Sequence, residues 1–355
     1  MARNVASFKA KHDPATIISK LEKELSEANA QLGLQDYIKQ VLGTTNLDSQ
    51  LPSWTQKELS AKGSPGVPTL FLSDLHWGEV VFRSQLGGVN AYNLKIAHER
   101  LERTVNKAIH LLKILDSKLD YPGIVLPLGG DMISGDIHEE LSTTNELPSI
   151  PTVLDLHDAL VPAITHLADV FGNVFVPCVS GNHGRNTKKI QAKNRNRTSF
   201  DWMLYQFLVR RFASDSRVTF FVPDGPDALY RVQNTTYNLT HGDQFKAGDS
   251  IIGAIGPLMR GNQKKTAKHA SVKRPYDIML AGHWHQLMYL PRLIVNGTMK
   301  GFDEYADSNN YPVEPAQQAL WVTHPTIGVN WTMNVLCDPA PKAPRKTEWV
   351  SVPRS

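Results

Sequence analysis

The sequence predicts a mixed α/β fold, and three patterns along the chain point to it. Short apolar runs alternate with helix-like stretches between about residues 67 and 213. After about residue 217 the runs are mostly strand-like, so the second half is predicted to be rich in β-structure. Five of the apolar runs end in residues that bind metals or move protons. With 355 residues, 41% of them hydrophobic, the chain can form one large domain or two small ones.

The first half is predicted to alternate strand and helix in a regular order. Its three apolar runs, at 67–73, 123–129 and 173–180, predict strands. Helix-like stretches at 93–119, 153–171 and 199–213 follow these runs in turn. In the second half, seven runs predict further strands, at 218–222, 228–232, 236–240, 277–281, 287–295, 318–324 and 330–336.

Both ends of the chain are predicted to lie outside the main domain. Asp13 and Pro14 have the residue types of an N-cap and a first helical position, and apolar residues then recur at helical spacing. We therefore assign 1–62 to an amphipathic helix and linker, 63–340 to the main domain, and 341–355 to a Pro-rich, basic tail. The helix could pack on the main domain, form a homodimer or dock a partner, and the sequence leaves these alternatives open.

Two classes of protein are disfavoured by the sequence. No apolar run approaches the ~18 residues that a membrane-spanning helix needs, and the N-terminus lacks the apolar core of a signal peptide. The two cysteines, Cys178 and Cys337, are too few for a disulfide framework and are expected to be reduced. We therefore expect a cytoplasmic protein without membrane contact.

Five motifs follow predicted strands and carry the chemistry of the chain. They are Asp74-Leu75-His76, Gly130-Asp131, Gly181-Asn182-His183, His241-Gly242 and Gly282-His283-Trp284-His285. Ligands of open α/β sheets gather beyond the carboxyl ends of strands, where loops converge. If strand geometry continued through the motifs, residues two apart would point to the same side, so Asp74 with His76, and His283 with His285, could each reach one ion. This donor set suits Mn²⁺, Fe or Zn²⁺ better than Ca²⁺.

Taken in order, these motifs resemble the signature of the calcineurin-like metallophosphoesterase superfamily, which reads D-x-H, G-D, G-N-H, H-G and G-H-x-H. The resemblance covers about residues 67 to 290. It implies a two-sheet β-sandwich flanked by helices, an αββα arrangement, here with an N-terminal helical extension. It also implies two divalent metal ions, with Mn²⁺ favoured and Fe, Zn²⁺ or Mg²⁺ as alternatives.

The resemblance assigns roles to individual residues. One ion would be held by Asp74, His76 and His285, the other by Asn182, His241 and His283, and Asp131 would bridge both. His183 matches a histidine that binds no metal and contacts the phosphoryl oxygen or protonates the leaving oxygen. Asp131 and His183 are therefore the predicted catalytic residues, in a reaction where a hydroxide held by the metals attacks phosphorus.

The chain differs from the superfamily signature at two positions, one next to His183 and one that concerns the substrate. Many relatives have an acidic residue after Gly-Asn-His, whereas this chain has Gly184. Phosphoprotein phosphatases of the superfamily carry an arginine soon after the second motif. Here Met132-Ile133-Ser134 follows Asp131, which disfavours a phosphoprotein substrate. Asp136 and His138 lie close enough along the chain to approach the site or the substrate.

Two basic segments favour a polyanionic substrate. Residues 185–197 and 260–274 each contain six lysines and arginines and no acidic residue, and both are predicted to be loops near the metals. Because such charges bind a phosphate backbone, we predict a DNA or RNA nuclease similar to the repair-exonuclease branch of the superfamily. The predicted substrate-binding residues are Arg185, Lys188, Lys189, Lys193, Arg195, Arg197, Lys264 and Lys265.

Two alternatives remain open at this stage. The first is a small-molecule enzyme, such as a nucleotide or cyclic-nucleotide phosphodiesterase or a general phosphatase. The second is a scaffold that has the fold but no catalytic activity; it predicts missing ligands, and every ligand residue of the motifs is present.

Overall fold

The computed structural model describes Trp54, residues 66–246 and residues 253–339. The predicted N-terminal helix and the predicted tail lie outside these residues, so the expectations for them stay predictions. Within the described part of the chain, no helix is long and apolar enough to cross a membrane.

Eleven strands in the described residues form two sheets. The first sheet has the order β11-β10-β1-β2-β3-β4 and the second the order β5-β6-β7-β9-β8. The strands of the first sheet are β1 (Val67–Phe71), β2 (Ile124–Val125), β3 (Val174–Pro177), β4 (Val218–Phe221), β10 (Gln317–His324) and β11 (Gly328–Leu336). Those of the second sheet are β5 (Asp227–Val232), β6 (Thr235–Thr240), β7 (Ile278–Ala281), β8 (Met288–Leu290) and β9 (Leu293–Val295).

Three long helices confirm the predicted alternation in the first half. These are α1 (Leu94–Leu115), α3 (Ser149–Phe171) and α4 (Phe200–Arg211). The other α-helices of the described residues are α2 (Glu139–Thr144), α5 (Ile255–Ser271) and α6 (Glu304–Ser308). Asn93 and Ser199 cap α1 and α4 by accepting backbone N–H groups of the first turn, which the ends of a helix need. Gly172 ends α3 at a φ of 76°, a conformation that costs glycine little.

The α/β fold class is confirmed, and the layers follow from strand alternation. Phe71, Phe175 and Trp321 point from the first sheet towards Tyr237 and Leu239 of the second, and together they form the core between the sheets. The neighbouring strand residues point the other way, into a core shared with α1, α3 and α4. On the far side, the outer face of the second sheet packs against Leu258 of α5. The described chain is therefore a two-sheet sandwich with helices on both outer faces.

Two predicted elements in the second half have a different structure. The run at 287–295 is a hairpin, β8 and β9, and its turn contains Arg292 at a φ of 61°. The second basic segment was predicted as a loop, but most of it belongs to α5. Pro257 and Gly261 made the sequence look unfavourable for a helix, because both residue types have low helix propensity. Proline is tolerated in the first helical turn, and Gly261 is needed because a Cβ there would lie 2.3 Å from the ring of Phe245.

Candidate metal centre

Parallel strands from both sheets bring the five motifs to one edge. In the first sheet β1, β2 and β3 run parallel, and in the second β6 and β7 do. Bridges from Leu128 to Leu72 and to Cys178 continue the pairing just before the first three motifs. Each motif follows one of these five strands, as predicted from the sequence. Because parallel strands end at the same edge, residues more than 200 positions apart in sequence become neighbours.

The first cluster consists of Asp74, His76 and His285, which follow strands of different sheets. One potential ligand atom from each lies within 4.8 Å of the others. Nε2 of His285 is 3.1 Å from Nε2 of His76 and 3.5 Å from Oδ1 of Asp74. Asp74 and His76 are fully buried, whereas the side chain of His285 is 30% exposed. The cluster could therefore hold a metal ion at the base of an opening.

The second cluster consists of Asp131, His241 and His283, again with ligand atoms within 4.8 Å of one another. Nε2 of His241 lies 2.9 Å from Oδ2 of Asp131, and both side chains are buried. A third group, His76, Asp131 and His183, meets the same criterion and connects the two clusters. Asp131 therefore belongs both to the second cluster and to the group that contains His76 of the first.

Asn182 provides a test of whether the site fits a cation. Its Oδ1 is buried and has no hydrogen-bond partner among the described residues. A buried acceptor left without a partner costs about 1 to 3 kcal/mol. The next residue, His183, donates its backbone N–H to Oδ1 of Asp131, so a cation at Asp131 is the partner we expect for this oxygen. Together with the imidazoles and carboxylates, the amide oxygen forms the mixed donor set expected for Mn²⁺, Fe or Zn²⁺.

The way neighbouring residues share a cluster differs from what strand alternation predicts, and His283 and His285 are divided as the resemblance implies. Asp74 and His76 do lie together, but His283 and His285 belong to different clusters. All four have positive φ, at 53°, 47°, 68° and 55°, so strand alternation does not continue through the motifs. Such backbone costs about 1 to 3 kcal/mol per residue and persists where surrounding contacts hold it. At Asp74, Oδ1 accepts the N–H of His283 at 2.8 Å and Oδ2 accepts the hydroxyl of Ser73 at 2.5 Å.

A buried carboxylate orients His76. Nδ1 of His76 lies 3.2 Å from Oε2 of Glu79, whose other oxygen accepts Nζ of Lys300 at 2.7 Å. Burial, and then the charge of Lys300, lowers the pKa of His76 to about 3. His76 is therefore a neutral imidazole, with Nε2 turned to the cluster and Nδ1 turned to Glu79. An outer carboxylate of this kind fixes the ring and increases the basicity of a ligating histidine.

The carboxylate of Asp131 stabilises positive charge in the second cluster. Nδ1 of His241 lies 2.8 Å from the carbonyl oxygen of Gly129, which leaves Nε2 facing Asp131. Burial alone would lower the pKa of His241, but Asp131 raises it to about 10. The pKa of His283 falls to about 4, because the ring is buried and lies near His241. This part of the site thus favours a cation next to Asp131 and a neutral His283.

His183 lies beside the clusters, and one of its ring nitrogens is hydrogen-bonded to the backbone. Its backbone N–H donates to Oδ1 of Asp131 at 2.7 Å, and its Nδ1 lies 2.9 Å from the carbonyl oxygen of Ser134. Because a carbonyl only accepts, Nδ1 carries the hydrogen and Nε2 stays available. The ring of His183 is 4.5 Å from that of His76 and 5.8 Å from that of His138. Burial lowers the pKa of His183, and the charges of Asp131 and Glu79 oppose this shift only in part.

The predicted substrate-binding residues differ in their exposure and in their contacts. Arg185 donates to the carbonyl oxygen of Asn182 at 2.8 Å, and Arg195 pairs with Asp243 at 2.8 Å. Lys265 is 8% exposed and its ammonium contacts Asp227, so its charge is not presented to solvent as the prediction required. The remaining predicted residues, Lys188, Lys189, Lys193, Arg197 and Lys264, are exposed.

Two carboxylates beside the site were missed by the sequence analysis. Glu79 lies three residues after His76, a spacing that could have drawn attention to it. Asp201 lies in α4, far from any motif, and accepts hydrogen bonds from the loops that carry Asp131 and Asn182. No sequence signal marks Asp201, because only the packing of α4 brings it to the site.

Comparison with known proteins gives a weak likeness to several solved structures. No protein-family model matches the sequence, and no curated protein sequence matches it. Vacuolar Protein Sorting 29 from Cryptosporidium parvum aligns with 77% of this chain and all of its own, at 13% identity and a TM-score of 0.32. A Streptococcus pneumoniae protein described as a predicted phosphoesterase aligns over 77% of this chain and 98% of its own, at 10% identity and a TM-score of 0.28. The sulfate thiohydrolase SoxB of Thermus thermophilus aligns over 78% of this chain and 57% of its own, at 10% identity and a TM-score of 0.31. At such scores the functional inference rests on the site of this chain alone.

Proposed function

We propose that the chain is a metal-dependent phosphoesterase that hydrolyses phosphodiester bonds with two divalent ions. The observation that carries the proposal is the pair of His/Asp clusters at one sheet edge, connected through Asp131. Paired metal sites that share a carboxylate suit phosphoryl transfer, because both the attacking and the leaving oxygen need a nearby positive charge.

The ligand sets follow from the clusters and from Asn182. The first ion would be held by Asp74, His76 and His285, and the second by Asn182, His241 and His283, with Asp131 between them. Bound there, divalent ions would orient a phosphate, lower the pKa of a water molecule and offset charge at phosphorus. Mn²⁺ is the ion we propose to test first, with Fe, Zn²⁺ and Mg²⁺ as alternatives.

His183 is the side chain that we expect to take part in catalysis without binding a metal ion. Its Nδ1–H is held by Ser134, so Nε2 faces away from that contact and can meet a phosphate oxygen or the leaving oxygen. A neutral ring in this tautomer accepts a hydrogen bond at Nε2 and must first gain a proton before it can donate one. We propose that His183 takes up a proton from solvent at Nε2, donates it as a hydrogen bond to the reacting phosphate and passes it to the leaving oxygen.

A nucleic acid is the substrate class that the charges favour. Lys188, Lys189 and Lys193 are exposed within eleven residues of Asn182, and Arg185 contacts Asn182 directly. A row of lysines binds a phosphate backbone without reading its sequence. The opposing observation is that Arg195, Arg197 and Lys265 are engaged in ion pairs, which leaves fewer free charges than the sequence suggested. That observation favours the alternative of a small-molecule nucleotide phosphodiesterase.

A substrate panel tests the proposal. Purified protein loaded with Mn²⁺ is assayed on single-stranded DNA, duplex DNA, RNA, cyclic nucleotides, bis-aryl phosphodiesters and aryl phosphomonoesters. Cleavage of DNA or RNA together with the bis-aryl diester supports the nuclease, whereas turnover of cyclic nucleotides alone supports the small-molecule enzyme. Exclusive hydrolysis of the monoester indicates a general phosphatase. A folded, metal-loaded protein without activity on any of these substrates would contradict the catalytic proposal and favour a scaffold.

A further inference from the structure

Asp201 is a fully buried carboxylate that contacts two metal-binding loops at once. It lies in the first turn of α4 and has no exposed surface. Its Oδ2 accepts the backbone N–H of Asp131 at 3.0 Å and that of Gly181 at 2.9 Å. Its Oδ1 accepts the N–H of Met132 at 3.2 Å. One side chain therefore satisfies three backbone donors from two loops.

The two loops are in direct contact where Asp201 joins them. The first loop follows β2 and carries Asp131, and the second follows β3 and carries Asn182. A Cβ added at Gly130 would lie 2.4 Å from the nitrogen of Gly181, and one added at Gly181 would lie 2.0 Å from Oδ1 of Asp131. The separation of Asp131 and Asn182 thus depends on a close backbone contact. The carboxylate that accepts hydrogen bonds from both sides of this contact fixes it.

Gly184 is a second observation, independent of the hydrogen bonds. A Cβ at this position would lie 2.7 Å from Oδ1 and 2.9 Å from Cγ of Asp201. The backbone of Gly184 also accepts the N–H of Phe200, which directly precedes Asp201. The chain therefore has glycine at a position where any side chain would displace the carboxylate.

We propose that Asp201 is a positioning residue that sets the distance between Asp131 and Asn182, and so the affinity of the second metal position. The hydrogen bonds of Asp201 go to backbone N–H groups, so it acts through the backbone of the two loops. The part that concerns metal affinity rests on the proposed function, whereas the part that concerns the loops does not.

The matched variants are Asp201→Asn, Asp201→Ala and Asp215→Asn. Asparagine keeps one oxygen that can accept the N–H groups of Asp131 and Gly181, and alanine keeps none. Asp215 lies beyond the other end of α4 and also accepts a backbone N–H, that of Arg217 at 3.1 Å, so its variant controls for general effects of losing such a carboxylate. Mn²⁺ binding is measured by titration calorimetry, and exchange of the backbone amides of Asp131, Met132 and Gly181 is measured by NMR without metal.

The expected order of Mn²⁺ affinity is wild type, then Asp201→Asn, then Asp201→Ala, with a loss of about 10- to 100-fold in the alanine variant. The amides of Asp131 and Gly181 should exchange faster in the alanine variant, while Asp215→Asn changes neither property. If the affinity and the amide exchange of Asp201→Ala equalled those of wild type, the inference would be wrong. A buried charge without a positioning role predicts no difference between Asn and Ala.

If Asp201→Ala does not fold, Gly184→Ala provides the second variant. Its methyl group displaces the carboxylate without removing it. We therefore expect weaker Mn²⁺ binding and faster exchange of the amides of Asp131 and Gly181, as in Asp201→Ala. Unchanged affinity and exchange in this variant would also contradict the inference. If wild-type protein binds no metal, the proposed function fails, and the amide exchange of the variants still decides whether Asp201 holds the loops.

Discussion

Nε2 of His241 lies 2.9 Å from Oδ2 of Asp131, at the point where strands of the two sheets end side by side. His241 follows β6 of the second sheet and Asp131 follows β2 of the first. The contact therefore depends on how the two sheets stack, and the core between the sheets holds it in place. The geometry of a metal site at this junction therefore depends on the packing of both sheets.

Replacing Asp131 should disturb both metal positions. We expect Asp131→Ala to lose more activity and Mn²⁺ affinity than the ~100-fold typical of an outer-shell change, because this carboxylate connects the two clusters. Turnover of a bis-aryl phosphodiester and calorimetric Mn²⁺ titration measure the effect. Asp158→Ala, at an exposed position on α3, serves as the control and should behave as wild type. Near-normal turnover by Asp131→Ala would refute the assigned role.

Replacing His183 should separate catalysis from metal binding. We expect His183→Ala to lower kcat by about 10²-fold or more on substrates with poor leaving groups, because its imidazole can deliver a proton. Activated aryl esters need that proton less and should lose less. Mn²⁺ affinity should stay within a few-fold of wild type, since no ligand is removed. His166→Ala, on the exposed side of α3, is the control. An equal loss on both leaving groups argues against proton delivery.

The exposed lysines near Asn182 should matter for long substrates only. Changing Lys188, Lys189 and Lys193 to glutamine should weaken binding to single-stranded DNA and reduce the slope of log K against log salt by about 2 to 3. Turnover of a bis-aryl phosphodiester should not change. The matched control changes Lys95, Lys113 and Lys118, which are exposed on or just beyond α1. Equal weakening by both triple variants would show that net charge, not this segment, binds the DNA.

The buried pair of Asp227 and Lys265 should contribute to stability. Both side chains are about one-tenth exposed, so Asp227→Asn leaves a buried ammonium without its anion and should cost about 3 kcal/mol at pH 7. Denaturant unfolding measures this cost. The control, Asp224→Asn, breaks an exposed pair with Arg197 and should cost less than about 1 kcal/mol. A smaller cost at Asp227 than at Asp224 would contradict the structural role.

The same pair predicts a pH dependence with a definite sign. Burial raises the pKa of Asp227, but Lys265 and the hydrogen bonds lower it more, so the native pKa lies below the usual value of an aspartate. A carboxyl group with a lowered native pKa stabilises the fold above its unfolded pKa, and this contribution is lost as the pH falls through the native pKa. The stability difference between wild type and Asp227→Asn should therefore shrink below about pH 4. A difference that grows in acid would contradict this assignment.

The sequence predicted the elements of the site better than their geometry. Runs ending at Asp74, Asp131 and Asn182 were identifiable because a buried strand followed by polar residues has a distinct local pattern. The distribution of His283 and His285 over two clusters was not accessible from strand alternation, since both residues leave the strand at positive φ. That geometry is imposed by contacts such as the one from the N–H of His283 to Asp74.

Tertiary packing explains the remaining differences. The helix α5 was hidden because Pro257 and Gly261 are poor helix formers, and the contact of Gly261 with Phe245 is only visible in three dimensions. Lys265 was counted as a substrate-binding residue because burial of a lysine by a distant aspartate leaves no local trace. Asp201 was missed because its place beside the site also depends on contacts between residues far apart in the sequence.

Anomalous diffraction from crystals soaked in Mn²⁺ tests the central claim most directly. If both clusters bind metal, the map has two peaks near Asp131, one beside His76 and His285 and the other beside His241 and His283. A map without peaks at these positions, from crystals shown to have taken up Mn²⁺, would contradict it.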